Sequence, residues 1–280
     1  MEFTVEDGKI PNPECSTLLL PALSIGNVGQ LAIDLLISSF KAERIGYLDD
    51  PSVLPCVGAD AYGPIPEGNL ALSLEVYDSP SNSSTLVQQR SPIIKGMMLE
   101  FAKNVANFAA VTGKKHVFVL SSLDSGKRHK IDFSNYMQIY YLSSINPNGT
   151  DAECEKLGWK KLEEYDPSKR GWKYLNSLVE GNPAEDDFCP EDELTDDDYC
   201  PSLPFAALFS CCKAKGLKVT CILSNCSEGD NIPDSYRLAG AARRLLGCSP
   251  EDILGDNGEG WVMPLSWKSV YGPPPDISLF

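Results

Sequence analysis

Two short loops carry the residues whose types and spacing could do chemistry. The first, Gly26-Asn27-Val28-Gly29, stands between an apolar run and a helical pattern. Backbone amides at such a helix start can hold an anion. The second, residues 227–234, reads SEGDNIPD and offers the carboxylates of Glu228 and Asp230. A carboxylate pair can serve as acid and base, so a nucleoside- or phosphate-binding hydrolase is one hypothesis for this chain.

Both loops also have a structural interpretation. The first matches neither G-x-G-x-x-G nor the Walker pattern, and Asn and Gly satisfy a tight turn by themselves. In the second loop, Asp230 or Asn231 is placed to cap the following helix, with Pro233 just inside it. We keep a third hypothesis, that these loops contact a protein partner.

No other pattern in the sequence identifies a catalytic centre, so we predict no catalytic, metal or cofactor-binding residues. His116 begins an apolar run and His129 stands in a basic loop, and spacing gives neither a partner. Nucleophile-elbow, zinc-protease and EF-hand patterns do not occur. The sequence therefore favours a function carried by surfaces.

The first loop is positioned by a strand, a helix and a second strand. The fully apolar residues 18–25 predict a buried strand, residues 31–40 a helix and residues 45–48 another strand. This order predicts a parallel crossover. The helix has only a narrow polar stripe at Asp34, Ser38 and Lys41, so we expect further protein to cover it, either the rest of the chain or a partner subunit.

The remaining pattern predicts one three-layer α/β/α domain with a mostly parallel sheet and one β-hairpin. The predicted strands are residues 70–77, with one exposed face, 85–90, 116–121, 136–142 and 218–224. The predicted helices are residues 91–111, 152–165, 204–215 and 232–246. If the strands at residues 18–25 and 218–224 run parallel, the loops that follow them leave the same edge of the sheet, so we expect the two chemical loops to lie close together.

Three segments fall outside this core. We predict a loose leader at residues 1–16 and an insertion at 146–203, whose part 185–199 is acidic and disordered. We also predict an extended tail at residues 255–280, stiffened by three successive prolines and ending in Leu279 and Phe280. Such a tail suits insertion into a pocket on another protein, although it could instead fold back over its own core.

The composition of the chain disfavours several classes of binding partner and cellular location. The net charge of −15 and a pI near 4.6 disfavour nucleic acid and anionic membranes. No apolar run reaches the ~18 residues that span a bilayer, and residues 1–14 lack the features of a secretory signal. The ten cysteines are expected to be mostly buried, reduced thiols, with a zinc site from Cys189, Cys200, Cys221 and Cys226 as an alternative.

Several stretches resemble the PAC2 family of proteasome assembly chaperones. They are residues 20–35 (LPALSIGNVGQLAIDL), 45–47 (IGY), 227–234 (SEGDNIPD), and 264–267 (PLSW) followed by a Gly-Pro stretch and a final Leu-Phe. Residues 145–203 are not covered by the resemblance. The tails of that family are described by a hydrophobic–tyrosine–any-residue ending, and here Leu279 stands in the tyrosine place.

The resemblance implies a non-enzymatic protein with a nucleoside-phosphorylase-like α/β fold that lacks the active site. It also implies a heterodimer with proteasome assembly chaperone 1, binding to 20S proteasome α-subunits in support of α-ring assembly, and a cytoplasmic and nuclear location. We expect the partner-binding residues to come from the helix 31–40, the two loops and the tail. They are Gly26, Asn27, Val28, Gln30, Leu31, Asp34, Leu35, Glu228, Asp230, Asn231, Leu279 and Phe280.

Overall fold

The structure, a computed structural model, describes residues 1–63, 68–127, 137–181, 198–248 and 260–269. Within these residues a nine-stranded sheet has the order β1-β3-β6-β7-β2-β8-β11-β9-β10. Its strands are β1 Glu2–Val5, β2 Thr17–Pro21, β3 Glu43–Asp49, β6 Leu74–Ser79, β7 Ser84–Gln89, β8 His116–Asp124, β9 Ile139–Ser143, β10 Lys160–Lys161 and β11 Lys218–Cys226. A separate pair is formed by β4 Val57–Ala59 and β5 Leu70–Leu72.

The centre of the sheet is parallel: β7, β2, β8 and β11 all run in one direction. Antiparallel pairings join β1, β3 and β6 on one side and β9 on the other. Two antiparallel steps separate β3 from β7, so β3 points the same way as β2, as the predicted crossover requires. The hairpin is also present, as β6 and β7.

Helices cover both faces of the sheet. The described helices are α1 Val28–Ser39, α2 Met98–Val111, α3 Ala152–Lys156, α4 Arg170–Glu180, α5 Pro204–Ala214 and α6 Ile232–Leu245. Strand β2 shows why there are two cores. Leu18 and Leu20 face one core with α2 and α5, and Leu19 faces the other with α1 and α6. All three side chains are buried, and the predicted three-layer α/β fold is confirmed.

The leader prediction is wrong over residues 2–5. This segment is the edge strand β1, paired with β3. Phe3 points into the sheet's first core and its ring lies edge-on to Phe108 of α2, 5.5 Å between centroids. Pairing with β3 and the packing of Phe3 against α2 therefore add this short segment to the edge of the sheet.

Two element boundaries also differ from the prediction. Helix α2 begins at Met98 and not at residue 91, because Ile94 donates its N–H to the Ser52 carbonyl at 2.8 Å and Ile93 forms a β-bridge with Val53. Residues 70–77 form two strands, and β6 is buried along its whole length. The expected exposed face of this strand is therefore wrong.

The segment predicted as an insertion contributes to the core. Its helix is short, α3, and β10 follows it. Helix α4, which the sequence did not reveal to us, buries Trp172 against Tyr165, with 4.8 Å between ring centroids. The acidic residues 182–197 lie outside the described residues. Asp198 is buried, so the prediction that residues 185–199 are exposed is wrong at Asp198.

The tail prediction is wrong over residues 260–269, which fold back on the second core. Trp261 and Trp267 are buried there against Tyr236 of α6. The Val262 N–H donates to Ser39 Oγ at 3.0 Å, at the end of α1. Large aromatic side chains bury more apolar surface by packing on the core than by extending into water, which overrides the extended preference of the Pro-rich region. Residues 270–280, with Leu279 and Phe280, lie outside the described residues.

Candidate functional site

The two chemical loops meet at the carboxyl edge of the parallel strands, as predicted. Gly26, after β2, has φ of +67°, and a Cβ there would lie 2.3 Å from Oδ1 of Asn231, after β11. Glycine is required at this position by both the backbone conformation and the amide packed against it. The Asn231 side chain thus occupies the space above the glycine.

Hydrogen bonds from strand β8 hold the first loop in its shape. Ser122 of β8 donates its hydroxyl to the Ile25 carbonyl at 2.7 Å and its N–H to Ser24 Oγ at 3.1 Å. Asn27 adopts a left-handed conformation, with φ of 50°, and is exposed. This arrangement is a hydrogen-bonded turn joined to its neighbouring strand.

Gly29 allows α1 to approach the sheet closely. A Cβ on Gly29 would lie 2.4 Å from the carbonyl oxygen of Leu120 in β8. Both glycines of the motif therefore have packing roles, which supports the structural interpretation of the motif.

The second loop caps α6. Asp230 Oδ1 accepts from the Ile232 N–H at 3.2 Å, and Asn231 donates to the Ser227 carbonyl at 2.8 Å and to Asp234 at 3.0 Å. Asp234 in turn pairs with Arg237. Glu228 and Asp230 are exposed, whereas Asn231 is buried. The loop presents two carboxylates to solvent from a capped, ordered turn.

The helix we expected to face a partner is largely covered by its own chain. Val28 and Leu35 are fully buried, and Gln30 and Leu31 are half-buried. The predicted polar stripe is wrong at Asp34, which is buried. Helix α1 packs against α6, the 260–269 segment and the loop that contains Tyr62.

Asp34 belongs to a buried ionic network that the sequence did not reveal. Arg90 Nη2 lies 3.1 Å from Asp34 Oδ1, which also accepts from the Tyr62 hydroxyl at 2.5 Å. Arg90 Nε pairs with Glu75 at 2.6 Å, and Arg44 reaches the other Glu75 oxygen at 3.0 Å. The network connects α1 to the strands β7, β6 and β3.

Burial and charge set the ionisation of this network. Burial raises the pKa of Tyr62 well above its usual value, and the Asp34 carboxylate raises it further. Burial alone would lower the pKa of Arg90, but Asp34, Tyr62 and Glu75 outweigh it and the pKa is raised. Tyr62 is therefore a neutral hydrogen-bond donor and Arg90 a permanent cation. The only signal in the sequence was a single arginine closing a strand, which does not indicate its partners.

His116 lies at the amino-terminal ends of the parallel strands, away from the two loops at their carboxyl ends. His116 begins β8, and its Nε2 lies 2.9 Å from Thr220 Oγ1. Burial, with a smaller effect of Lys218, lowers the pKa of His116 to about 3. His116 is thus a neutral imidazole far along the strand from the two loops, and His129 lies outside the described residues.

The described cysteines are free thiols, and most are buried. Burial raises the pKa of Cys212 to about 12 and that of Cys221 well above its usual value, so these sulfurs stay protonated. Among the described residues, no three His, Cys, Asp or Glu side chains come together as a metal site. Cys189, one of the four cysteines of the alternative zinc site, lies outside the described residues. The described helices include none long and apolar enough to cross a membrane.

The comparison with protein families matches residues 18–248 to the PAC2 family. The chain belongs to the PAC2 family. Proteasome assembly chaperone 2 of Nematostella vectensis is 34% identical over 247 residues, covering 86% of this chain and 93% of that protein. The human protein of the same name is 29% identical over 275 residues and 94% of both chains.

Two solved structures share the fold of this chain. PbaA of Pyrococcus furiosus, described as an archaeal homolog of proteasome-assembly chaperone, superposes with a TM-score of 0.57 at 16% identity, covering 89% of this chain and 86% of that one. PbaB of the same organism, described as an archaeal proteasome activator, gives 0.57 at 13% identity, with 89% and 90% covered. The PAC2 resemblance read from the sequence is confirmed.

Proposed function

We propose that this protein is a non-enzymatic assembly chaperone of the 20S proteasome. It forms a heterodimer with proteasome assembly chaperone 1, binds α-subunits and promotes α-ring assembly in the cytoplasm and nucleus. The observation that carries the proposal is the relationship to proteins named proteasome assembly chaperone 2, which extends over most of the chain. Similarity confined to one loop would be much weaker support for this function.

The geometry of the two loops supports a binding function. Asn231 fills the space above Gly26, where a phosphate loop would need an open cradle. Asp230 accepts a hydrogen bond from the first turn of α6, and His116 lies at the opposite, amino-terminal ends of the parallel strands. These contacts support a role of the two loops in protein binding and weigh against acid–base catalysis there.

The exposed residues of these loops are the ones we assign to partner contact. Asn27, Glu228 and Asp230 are exposed, and Gln30 and Leu31 are partly accessible beside them. Of the predicted contact residues, Val28, Asp34 and Leu35 are buried and instead hold α1 in place. Leu279 and Phe280 remain predicted contacts of the tail.

Purification of the tagged full-length chain from native extract tests the proposal. We expect proteasome assembly chaperone 1 and α-subunits to co-purify in stoichiometric amounts, without mature proteasome. Calorimetry with nucleosides and inorganic phosphate tests the alternative hydrolase. Micromolar binding of either, in a preparation free of α-subunits, would contradict the proposal.

A further inference from the structure

Two buried tryptophans fix residues 260–269, which we call the strap, to helix α6. The rings of Trp261 and Trp267 lie edge-on to the ring of Tyr236, with 6.0 and 6.3 Å between centroids. The Arg243 guanidinium lies 4.7 Å from the centroid of the Trp261 ring. Large aromatic side chains carry much of the energy that holds a short segment on a core. The strap is therefore part of the folded domain.

Hydrogen bonds show the direction in which the strap runs. The Val262 N–H donates to Ser39 Oγ at the C-terminal end of α1, at 3.0 Å. The Ser266 N–H donates to the Ala61 carbonyl, also at 3.0 Å, in a loop that packs on the middle of α1. The strap therefore advances from the C-terminal end of α1 towards the N-terminal end. Because α1 follows β2, that N-terminal end lies at the carboxyl edge of the parallel strands.

The contacts with α6 give the same direction. Trp261 lies between Tyr236 and Arg243, whereas the ring that Trp267 contacts is that of Tyr236. Tyr236 follows Asn231 of the second loop by five residues, which is about 8 Å along the helix axis. The strap thus ends on the side of the domain where the two loops lie.

The C-terminal tail starts where the strap ends. Eleven residues, 270–280, follow the strap, and they include Leu279 and Phe280. A fully extended chain of this length spans about 40 Å at most, so the fixed end of the strap limits where the last two side chains can bind. A short tether from a fixed origin also gives its free end a high effective concentration near that origin.

We propose that the strap is an anchor that fixes the origin of the tail beside the two loops, so that the tail and the loops bind one α-ring at the same time. The proposal rests on the proposed function and assigns Trp261 and Trp267 as positioning residues for the tail. Two contacts joined by a short tether bind more tightly than either contact alone, and the gain falls with about the −3/2 power of the tether length.

The first test lengthens the tail and leaves the strap unchanged. A Gly/Ser linker of about 33 residues between Ser269 and Val270 makes the tether about four times as long, which should weaken binding about eightfold. The measurement uses the heterodimer of the full-length chain with proteasome assembly chaperone 1, bound to immobilised α-rings. The control carries the same linker in a chain without residues 277–280. Its affinity should stay within about twofold of the truncated chain without the linker, because no tail end remains to be positioned.

The second test changes the strap itself. Trp267→Ala should free the end of the strap and weaken α-ring binding, but only in chains that contain residues 277–280. The matched control is Trp159→Ala, which truncates a tryptophan of nearly equal exposure, 6% against 7%, between α3 and β10. Both changes remove a buried ring and should lower the melting temperature. Only Trp267→Ala should change the tail-dependent part of the α-ring affinity.

Unchanged α-ring affinity after insertion of the linker overturns the proposal and leaves the proposed function intact. Equal losses of affinity with and without residues 277–280 also overturn it, because the linker would then act through something other than the tail. If Trp267→Ala fails to fold, the comparison of the linker variants decides alone. A parent heterodimer that does not bind α-rings overturns both this proposal and the proposed function.

Discussion

Replacing Arg90 by methionine should destabilise the protein strongly, because Arg90 neutralises two buried carboxylates. Its side chain is 18% exposed, and the side chains of Asp34 and Glu75 are 11% and 2% exposed. Arg44 remains beside Glu75 in the variant, whereas Asp34 keeps, among the described residues, the Tyr62 hydroxyl as its side-chain partner. Breaking a buried pair in this way costs about 3–5 kcal/mol.

Thermal unfolding of the full-length chain measures this effect. At about 2 °C per kcal/mol for a chain of this size, Arg90→Met should melt about 6–10 °C below the parent. Asp34→Asn in the Arg90→Met background removes the unpaired charge and should recover part of the loss. The control is Lys156→Met, which breaks the exposed Lys156–Glu153 pair and should leave the melting temperature unchanged.

The reasoning about the network fails under either of two results. One is an Arg90→Met variant that melts with the parent. The other is a double variant no more stable than Arg90→Met, which would show that the lost packing of the arginine stem, and not the stranded Asp34 charge, accounts for the effect.

The remaining predictions concern a histidine, the loop contact and the tail. His116 has a pKa of about 3 when folded and about 6.5 when unfolded, so the unfolded state takes the proton first, and stability is lost as pH falls below 6.5. We expect up to about 2 kcal/mol of loss at pH 5 by urea titration, absent in His116→Gln; equal pH slopes for the two proteins would contradict this. Gly26→Ala should cost about 2–4 kcal/mol in parental background and clearly less with Asn231→Ala, and a cycle with no coupling would show that the amide does not restrict this position. Deleting residues 277–280 should weaken α-ring binding and leave the heterodimer intact, and pull-downs with normal α-ring recovery would refute the tail's role.

The sequence predicted the centre of the fold well. The apolar runs at β2, β8 and β11 are buried on both faces, so hydrophobic pattern alone locates them. The loops at Gly26 and Asn231 follow from the same strands, because parallel strands bring their carboxyl ends to one edge. Their meeting was therefore predictable, although the packing of one side chain over the glycine was not.

The sheet's outer parts and the covering layer were harder to predict. Edge strand β1 has four residues and little pattern, and its pairing depends on long-range contact with β3. Asp34 looked like a solvent-facing position because its partner, Arg90, is distant in sequence. The stacking of Trp261 under Arg243, 4.7 Å from ring centroid to guanidinium, likewise joins segments that no local pattern connects.

The central claim, that this chain works by holding other polypeptides during proteasome assembly, is tested most directly by depleting the protein from cells and measuring α-ring intermediates by native gel and mass spectrometry. The account predicts fewer complete α-rings and less mature 20S proteasome, both restored by the full-length chain. Normal α-ring and proteasome levels after complete depletion would contradict it.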